Sequence, residues 1–147
     1  MTAHRSSSRR YVLDANALIA FFENRQPAAE RVRKLLTEAD HKDLPLWMSA
    51  VNWGEVYYIE WRRFGETKAR EAGVNLHRLP IVVLAADCDR ATRAATLKQK
   101  HNLGYADAFA AELAIDQGAW LVTADPEFAK LGKTLSLYVL PRHQSLQ

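Results

Sequence analysis

The chain has 147 residues, 48% hydrophobic and 25% charged, the make-up of one globular domain with a single sizeable core. Its formal net charge of +3 admits an anionic partner without requiring one. One cysteine, Cys88, excludes an internal disulfide and fits a reducing, cytoplasmic setting, and no apolar run is long enough to span a membrane.

Residues 1–9 are rich in Arg and Ser and read as a flexible basic arm, leaving 10–147 as one domain. Ser8-Arg9-Arg10 before Tyr11-Val12-Leu13 faintly resembles a twin-arginine export signal, but Asp14 and Asn16 cut the apolar run such a signal needs. Tyr11 to Leu13 is instead a first strand, and Asn16 to Phe22 a short helix. Pro27 starts a second helix, with Ala28, Val32, Leu35, Leu36 and Ala39 at helical spacing. Leu46-Trp47-Met48 is a second strand. Ser49 then caps a helix running through Val51, Glu55, Ile59 and Arg62.

A further helix covers Glu66 to Leu76, and the β-branched run Ile81 to Leu84 after Pro80 is the third strand. Asp87 caps a helix reaching about His101, with Cys88 expected to pack as a small apolar residue near its start. Asn102-Leu103-Gly104 breaks the chain before an alanine-rich helix from Tyr105 to Gln117, which ends at Gly118. Trp120 to Thr123 and Ser136 to Leu140 complete five strands. Strands alternating with helices predict an α/β fold with a mainly parallel sheet covered on both faces.

Four acids stand out on this frame. Asp14 and Asp125 each follow a strand, where open parallel sheets bind ligands. Glu55 interrupts an apolar stripe with Val51, Tyr58 and Ile59, and Asp107 lies in the first helical turn beside Ala110, Ala111 and Ala114, which permit close approach to the sheet. Convergent carboxylates repel and are costly to bury without cations, so the set predicts a site for Mg²⁺ or Mn²⁺. In a basic chain such a cation points to phosphodiester chemistry. Asn16 and Thr123 are candidate supporting polar groups. Plainer roles stand beside these: Asp125 before Pro126 is an ordinary helix cap, Asp14 could cap the first helix, and Asp107 suits a helix N-terminus. Glu55 has no such plain role.

Four segments carry a resemblance to a known family: Val12-Leu13-Asp14-Ala15-Asn16-Ala17-Leu18-Ile19, Asn52-Trp53-Gly54-Glu55, Leu103-Gly104-Tyr105-Ala106-Asp107-Ala108, and Leu121-Val122-Thr123-Ala124-Asp125-Pro126-Glu127-Phe128. In this order they resemble the PIN domain, in particular the toxin subunit of VapBC-type toxin–antitoxin pairs, from Arg10 to Leu140. The resemblance implies a PIN-like α/β/α sandwich and an Mg²⁺- or Mn²⁺-dependent endoribonuclease. It implies that Asp14, Glu55 and Asp107 bind metal, that Asp125 completes the site directly or through water, and that Asn16 and Thr123 support it. Many relatives carry a small hydroxyl residue where this chain has Ala15 and Asn16, and the basic arm is not explained by the family pattern.

Such toxins are typically homodimers held inactive by a cognate antitoxin, in heterotetramers or larger assemblies. The aromatic stretch Trp53, Tyr57, Tyr58, Trp61 and Phe64 is a candidate antitoxin surface, with core packing as the alternative for about half of it. Candidate RNA contacts are Arg10, Arg62, Arg63, Lys98, Lys100 and His101. Three other readings stay open: a free-standing RNA-processing PIN nuclease, an inactive RNA-binding PIN domain, and an aspartyl phosphotransferase with Asp14 as nucleophile. The last commonly wants an aspartate where Asn16 stands, and no glycine-rich phosphate loop is present.

Overall fold

The computed structural model describes residues 9–142. Residues 1–8, most of the expected basic arm, lie outside the described residues.

The sheet has five strands: β1 (Tyr11–Leu13), β2 (Leu46–Ser49), β3 (Ile81–Leu84), β4 (Trp120–Thr123) and β5 (Ser136–Val139), in the order β3-β2-β1-β4-β5. Every pairing is parallel, which sharpens the expectation of a mainly parallel sheet. The helices are α1 (Ala15–Phe22), α2 (Ala28–Lys42), α3 (Ala50–Phe64), α4 (Glu66–His77), α5 (Cys88–His101), α6 (Tyr105–Gln117) and a final 3₁₀ segment, α7 (Pro126–Thr134).

Alternation along each strand divides the interior into two cores. On β1, Leu13 joins a core with α1, α2, Val56 of α3 and Leu76 of α4, while Val12 joins a second core with α6, Ala94 of α5 and Phe128 and Leu131 of α7. On β4, Val122 and Leu121 divide in the same way. The predicted stripe of α2 is buried throughout, from Ala28 to Ala39.

Local signals set the helix starts as expected. The Ser49 hydroxyl accepts from the Val51 amide at 3.1 Å, and Asp87 Oδ1 accepts from the Arg90 amide at 2.9 Å. Gly118 ends α6 with φ 59°, a left-handed conformation that costs glycine little.

Two expectations fail. Cys88 is exposed, because α5 turns only Ala94 fully inward and packs Ala91 and Leu97 beside it against the second core. Tyr58 is also exposed, because the fully buried line of α3 runs through Asn52, Val56 and Glu60. An aromatic beside Ile59 looked apolar by type, but its angular position faces outward.

β1 lies centrally. From it the chain moves outward through β2 to β3, then returns to place β4 on the other side of β1. This reversal makes the carboxyl ends of β1 and β4 the natural crevice of the sheet.

Candidate metal centre

Asp14 sits at that crevice, immediately after β1, and is buried. Its Oδ1 accepts from the Ala17 amide at 2.8 Å, so it caps α1 as the sequence allows. Its Oδ2 accepts from the Thr123 hydroxyl at the end of β4. The Thr123 Oγ1 in turn accepts from the Asp125 amide at 3.0 Å. One buried hydroxyl therefore connects the backbone that carries Asp125 to the carboxylate of Asp14.

Asp125 caps α7, with its Oδ1 accepting from the Glu127 amide at 2.9 Å and Pro126 following. The plain capping role and proximity to the other acids coexist in this residue. Asp107 lies in the first turn of α6, half-buried. A Cβ at the preceding helix cap, Gly104, would sit 3.2 Å from Asp107 Oδ2, so glycine leaves room for that carboxylate. Glu55, half-buried on α3, has its Oε1 held by the Asn52 side-chain amide at 3.3 Å.

The electrostatics tie these residues together. Burial pushes the Asp14 carboxyl from its ordinary 3.8 up to about 7, against the pull of the Thr123 and Ala17 hydrogen bonds and with added repulsion from Asp107 and Asp125. Burial also raises Asp107 to about 6, reinforced by Asp125, Glu55 and Glu127. Glu55 is raised by burial, and the Asn52 hydrogen bond opposes the rise. The structure thus brings Asp14 within electrostatic reach of Asp107 and Asp125, sets Glu55 within reach of Asp107, and adds Glu127, which the sequence reading did not single out.

Among the described residues, no arginine or lysine forms an ion pair with Asp14, Glu55, Asp107 or Asp125. Nor do three acidic, histidine or cysteine side chains there converge tightly enough to enclose an ion by themselves. An all-oxygen donor set with mutual repulsion and no internal counter-charge fits a hard cation that keeps part of its water, as Mg²⁺ and Mn²⁺ do. It does not resemble a closed zinc shell.

The other candidates divide. Asn16 is exposed in the first turn of α1. Arg63 is committed to Glu23 at 2.8 Å, and the Lys98 ammonium donates to the Leu103 carbonyl at 2.9 Å. Arg62 is exposed over the Tyr58 ring, and Lys100 is exposed in the last turn of α5. Arg10 precedes β1 while Asp14 follows it, so the strand itself separates them, by about 13 Å of extended chain.

Comparison with known proteins gives a consistent pattern. A family model for the PIN domain matches residues 11–134. Ribonuclease VapC30 of Mycobacterium tuberculosis is 33% identical over 124 residues, spanning 80% of this chain and 91% of the relative. The backbone superposes on DNA-bound VapBC from Salmonella typhimurium with a TM-score of 0.70 at 19% identity, over 89% of this chain and 98% of that one. For VapC20 of Mycobacterium tuberculosis, described as a sarcin-ricin-loop-cleaving toxin, the TM-score is 0.69 at 17% identity, over 83% and 95% of the two chains. At those identities the structural likeness is one of fold.

Proposed function

This chain belongs to the PIN-domain family, among its VapC ribonucleases, and on that premise we propose a divalent-metal-dependent endoribonuclease whose site is Asp14, Glu55, Asp107 and Asp125. The observation that carries the reading is a set of mutually repelling carboxylates around the carboxyl ends of β1 and β4 that forms no ion pair with an arginine or lysine of the described chain.

Asp14, Glu55 and Asp107 would hold Mg²⁺ or Mn²⁺, with Asp125 completing the set directly or through water. Such a cation, when bound, activates water toward a phosphodiester and offsets charge on the leaving oxygen. The chain's own contribution is orientation. Thr123 and the Ala17 amide fix both oxygens of Asp14, so the carboxylate is aimed before a cation arrives. Asn16 serves as a supporting polar group at the mouth. Arg62 and Lys100 are the exposed basic residues best placed for the RNA backbone, since Arg63 and Lys98 are engaged elsewhere.

The chain acts as the toxin of a type II toxin–antitoxin pair. Its partners are an RNA substrate and a cognate antitoxin, in a homodimer that forms a heterotetramer or larger assembly. Tyr58, Trp61 and Phe64, each about half exposed at 52%, 46% and 54%, form the outward side of α3 and are the part of the aromatic stretch suited to the antitoxin. Trp53 and Tyr57 are partly buried, as the core-packing alternative requires. Among the described residues no helix is long and apolar enough to cross a membrane, and cytoplasmic action is part of the proposal.

The test is cleavage of total RNA by antitoxin-free protein with Mg²⁺, Mn²⁺ or EDTA, alongside Asp14→Asn and Asp107→Asn. Metal-dependent cutting lost in both variants supports the site. Cutting that survives in EDTA, or in Asp14→Asn, sinks it. No cutting and no divalent binding turns the reading to an inactive RNA-binding domain.

A further inference from the structure

Asn52 is fully buried at the third position of α3. Its side-chain NH₂ donates to two acceptors on different elements. One is Glu55 Oε1 at 3.3 Å, a turn further along α3. The other is the Ala106 carbonyl at 3.0 Å, in the first turn of α6 and adjacent to Asp107. Both partners are oxygens, so the orientation of the amide is determined. Turning it over would set its own oxygen against a carboxylate and a carbonyl.

That orientation has a cost. The Asn52 Oδ1 is buried and has no hydrogen-bond partner. An unsatisfied buried acceptor destabilises a fold. An apolar residue of similar volume would fill the same space without it. The amide is therefore poorly explained as packing, and well explained by what its NH₂ holds. It spans the two helices that carry Glu55 and Asp107, across 54 residues of sequence.

We infer that Asn52 is a positioning residue, whose NH₂ fixes the separation of Glu55 from Asp107 and so sets how tightly the site holds a divalent cation. This rests on the metal site proposed above. Asn52 acts through Glu55 and the start of α6 and does not itself touch the reacting atoms. Loss of a group that orients a ligand typically weakens metal binding by about 10- to 100-fold.

The experiment is calorimetric titration of the metal-free full chain with Mn²⁺, together with melting temperatures in EDTA. It compares the native chain, Asn52→Leu, Glu55→Gln and the double variant. Asn52→Leu should bind Mn²⁺ about tenfold more weakly while melting in EDTA no lower than the native chain. In the Glu55→Gln background the same change should alter affinity less than about twofold, because the carboxylate it orients is gone. Asn52→Ser, whose hydroxyl reaches only one acceptor, should fall between and guards against a leucine that fails to pack. Unchanged affinity in Asn52→Leu or Asn52→Ser overturns the inference. So does an equal loss in both backgrounds, which would make Asn52 merely structural. A native chain that binds no Mn²⁺ sinks the metal site itself, and the inference with it.

Discussion

Helix α1 has a carboxylate at each end, Asp14 buried and Glu23 with its side chain largely covered, and the two ends handle it differently. Glu23, the C-terminal cap, accepts from Arg63 at 2.8 Å and from Arg25 at 2.6 Å. Burial raises Glu23, but hydrogen bonds from Glu60, Arg63 and Arg25 outweigh it and hold the carboxyl below its ordinary range. Glu60 beside it is pushed up to about 7, by burial first and then by Glu23. Glu60 Oε2 is buried and has no hydrogen-bond partner. At the N-terminal end, Asp14 meets only a hydroxyl, an amide and more carboxylates. Glu112 on α6 follows the first pattern, with Arg90 at 3.1 Å and Arg93 at 2.9 Å. One chain thus pairs some of its buried carboxylates with its own arginines and leaves those of the crevice without one. The arginine-free set is where the proposed cation would act.

The largest expected effect separates function from stability. Asp14→Asn should reduce RNA cleavage by at least about a hundredfold. The same variant should melt higher than the native chain in EDTA, because a buried acid that resists ionising is replaced by a neutral amide of equal size. A variant that loses activity and also melts lower would mean that Asp14 is structural, and the contrast between the two ends of α1 would break.

Next in size is the converse change. Glu112→Ala leaves Arg90, largely buried, with only the more exposed Asp116 at 3.2 Å, which should cost about 1–3 kcal/mol, since Arg93 rehydrates. Urea denaturation measures the loss. Cleavage per folded molecule should be unchanged. A drop in activity beyond the folded fraction would show that the α5–α6 ion cluster reaches the site.

The acid dependence sharpens the comparison further. Folded Asp14 sits at about 7, above its ordinary 3.8, so the folded state binds that proton more tightly than the unfolded state. The stabilisation is complete below the unfolded value and is lost as pH rises through about 7. Asp107, at about 6, and Glu60, at about 7, contribute with the same sign. In EDTA the melting temperature should therefore fall from about pH 5 to about pH 8. Saturating Mn²⁺ should remove the share due to Asp14 and Asp107 and leave that of Glu60, which Glu60→Gln should abolish. A fall that Mn²⁺ does not change at all would place the titration away from the acids of the crevice.

The sequence made local features legible and cross-chain partners illegible. The α2 stripe, the caps at Ser49 and Asp87, and the position of Asp14 and Asp125 after their strands all follow from spacing within a few residues. Those spacings were enough to assemble the acids. The countercharges were not visible: Arg63 meets Glu23 across 40 residues and Arg90 meets Glu112 across 22. Nothing in its type or spacing singles out Glu60, although it lies on the buried line of α3. Asn52 stands three residues before Glu55, yet its second partner, Ala106, comes only from the packing of α3 against α6. Tyr58 shows the converse, an apolar type at an exposed angle.

The smallest effect tests the two ends of the sheet. Arg62 lies seven residues beyond Glu55 on α3, two turns along the same side and about 10 Å away, and is exposed without an acidic partner. Arg10 is equally exposed but precedes β1, at the sheet end away from Asp14. If RNA approaches the acids, Arg62→Ala should weaken binding to a catalytically dead chain a few-fold at low salt and reduce the salt dependence by about 0.7 in the log–log slope, the loss of one phosphate contact to a single strand. Arg10→Ala should leave both unchanged. Asp14→Asn serves as the dead background, and binding is read by fluorescence anisotropy with a single-stranded RNA. Equal losses from both arginines would mean that the RNA responds to net charge alone, because a substrate confined to the carboxyl ends of β1 and β4 makes no phosphate contact with a side chain at their amino ends.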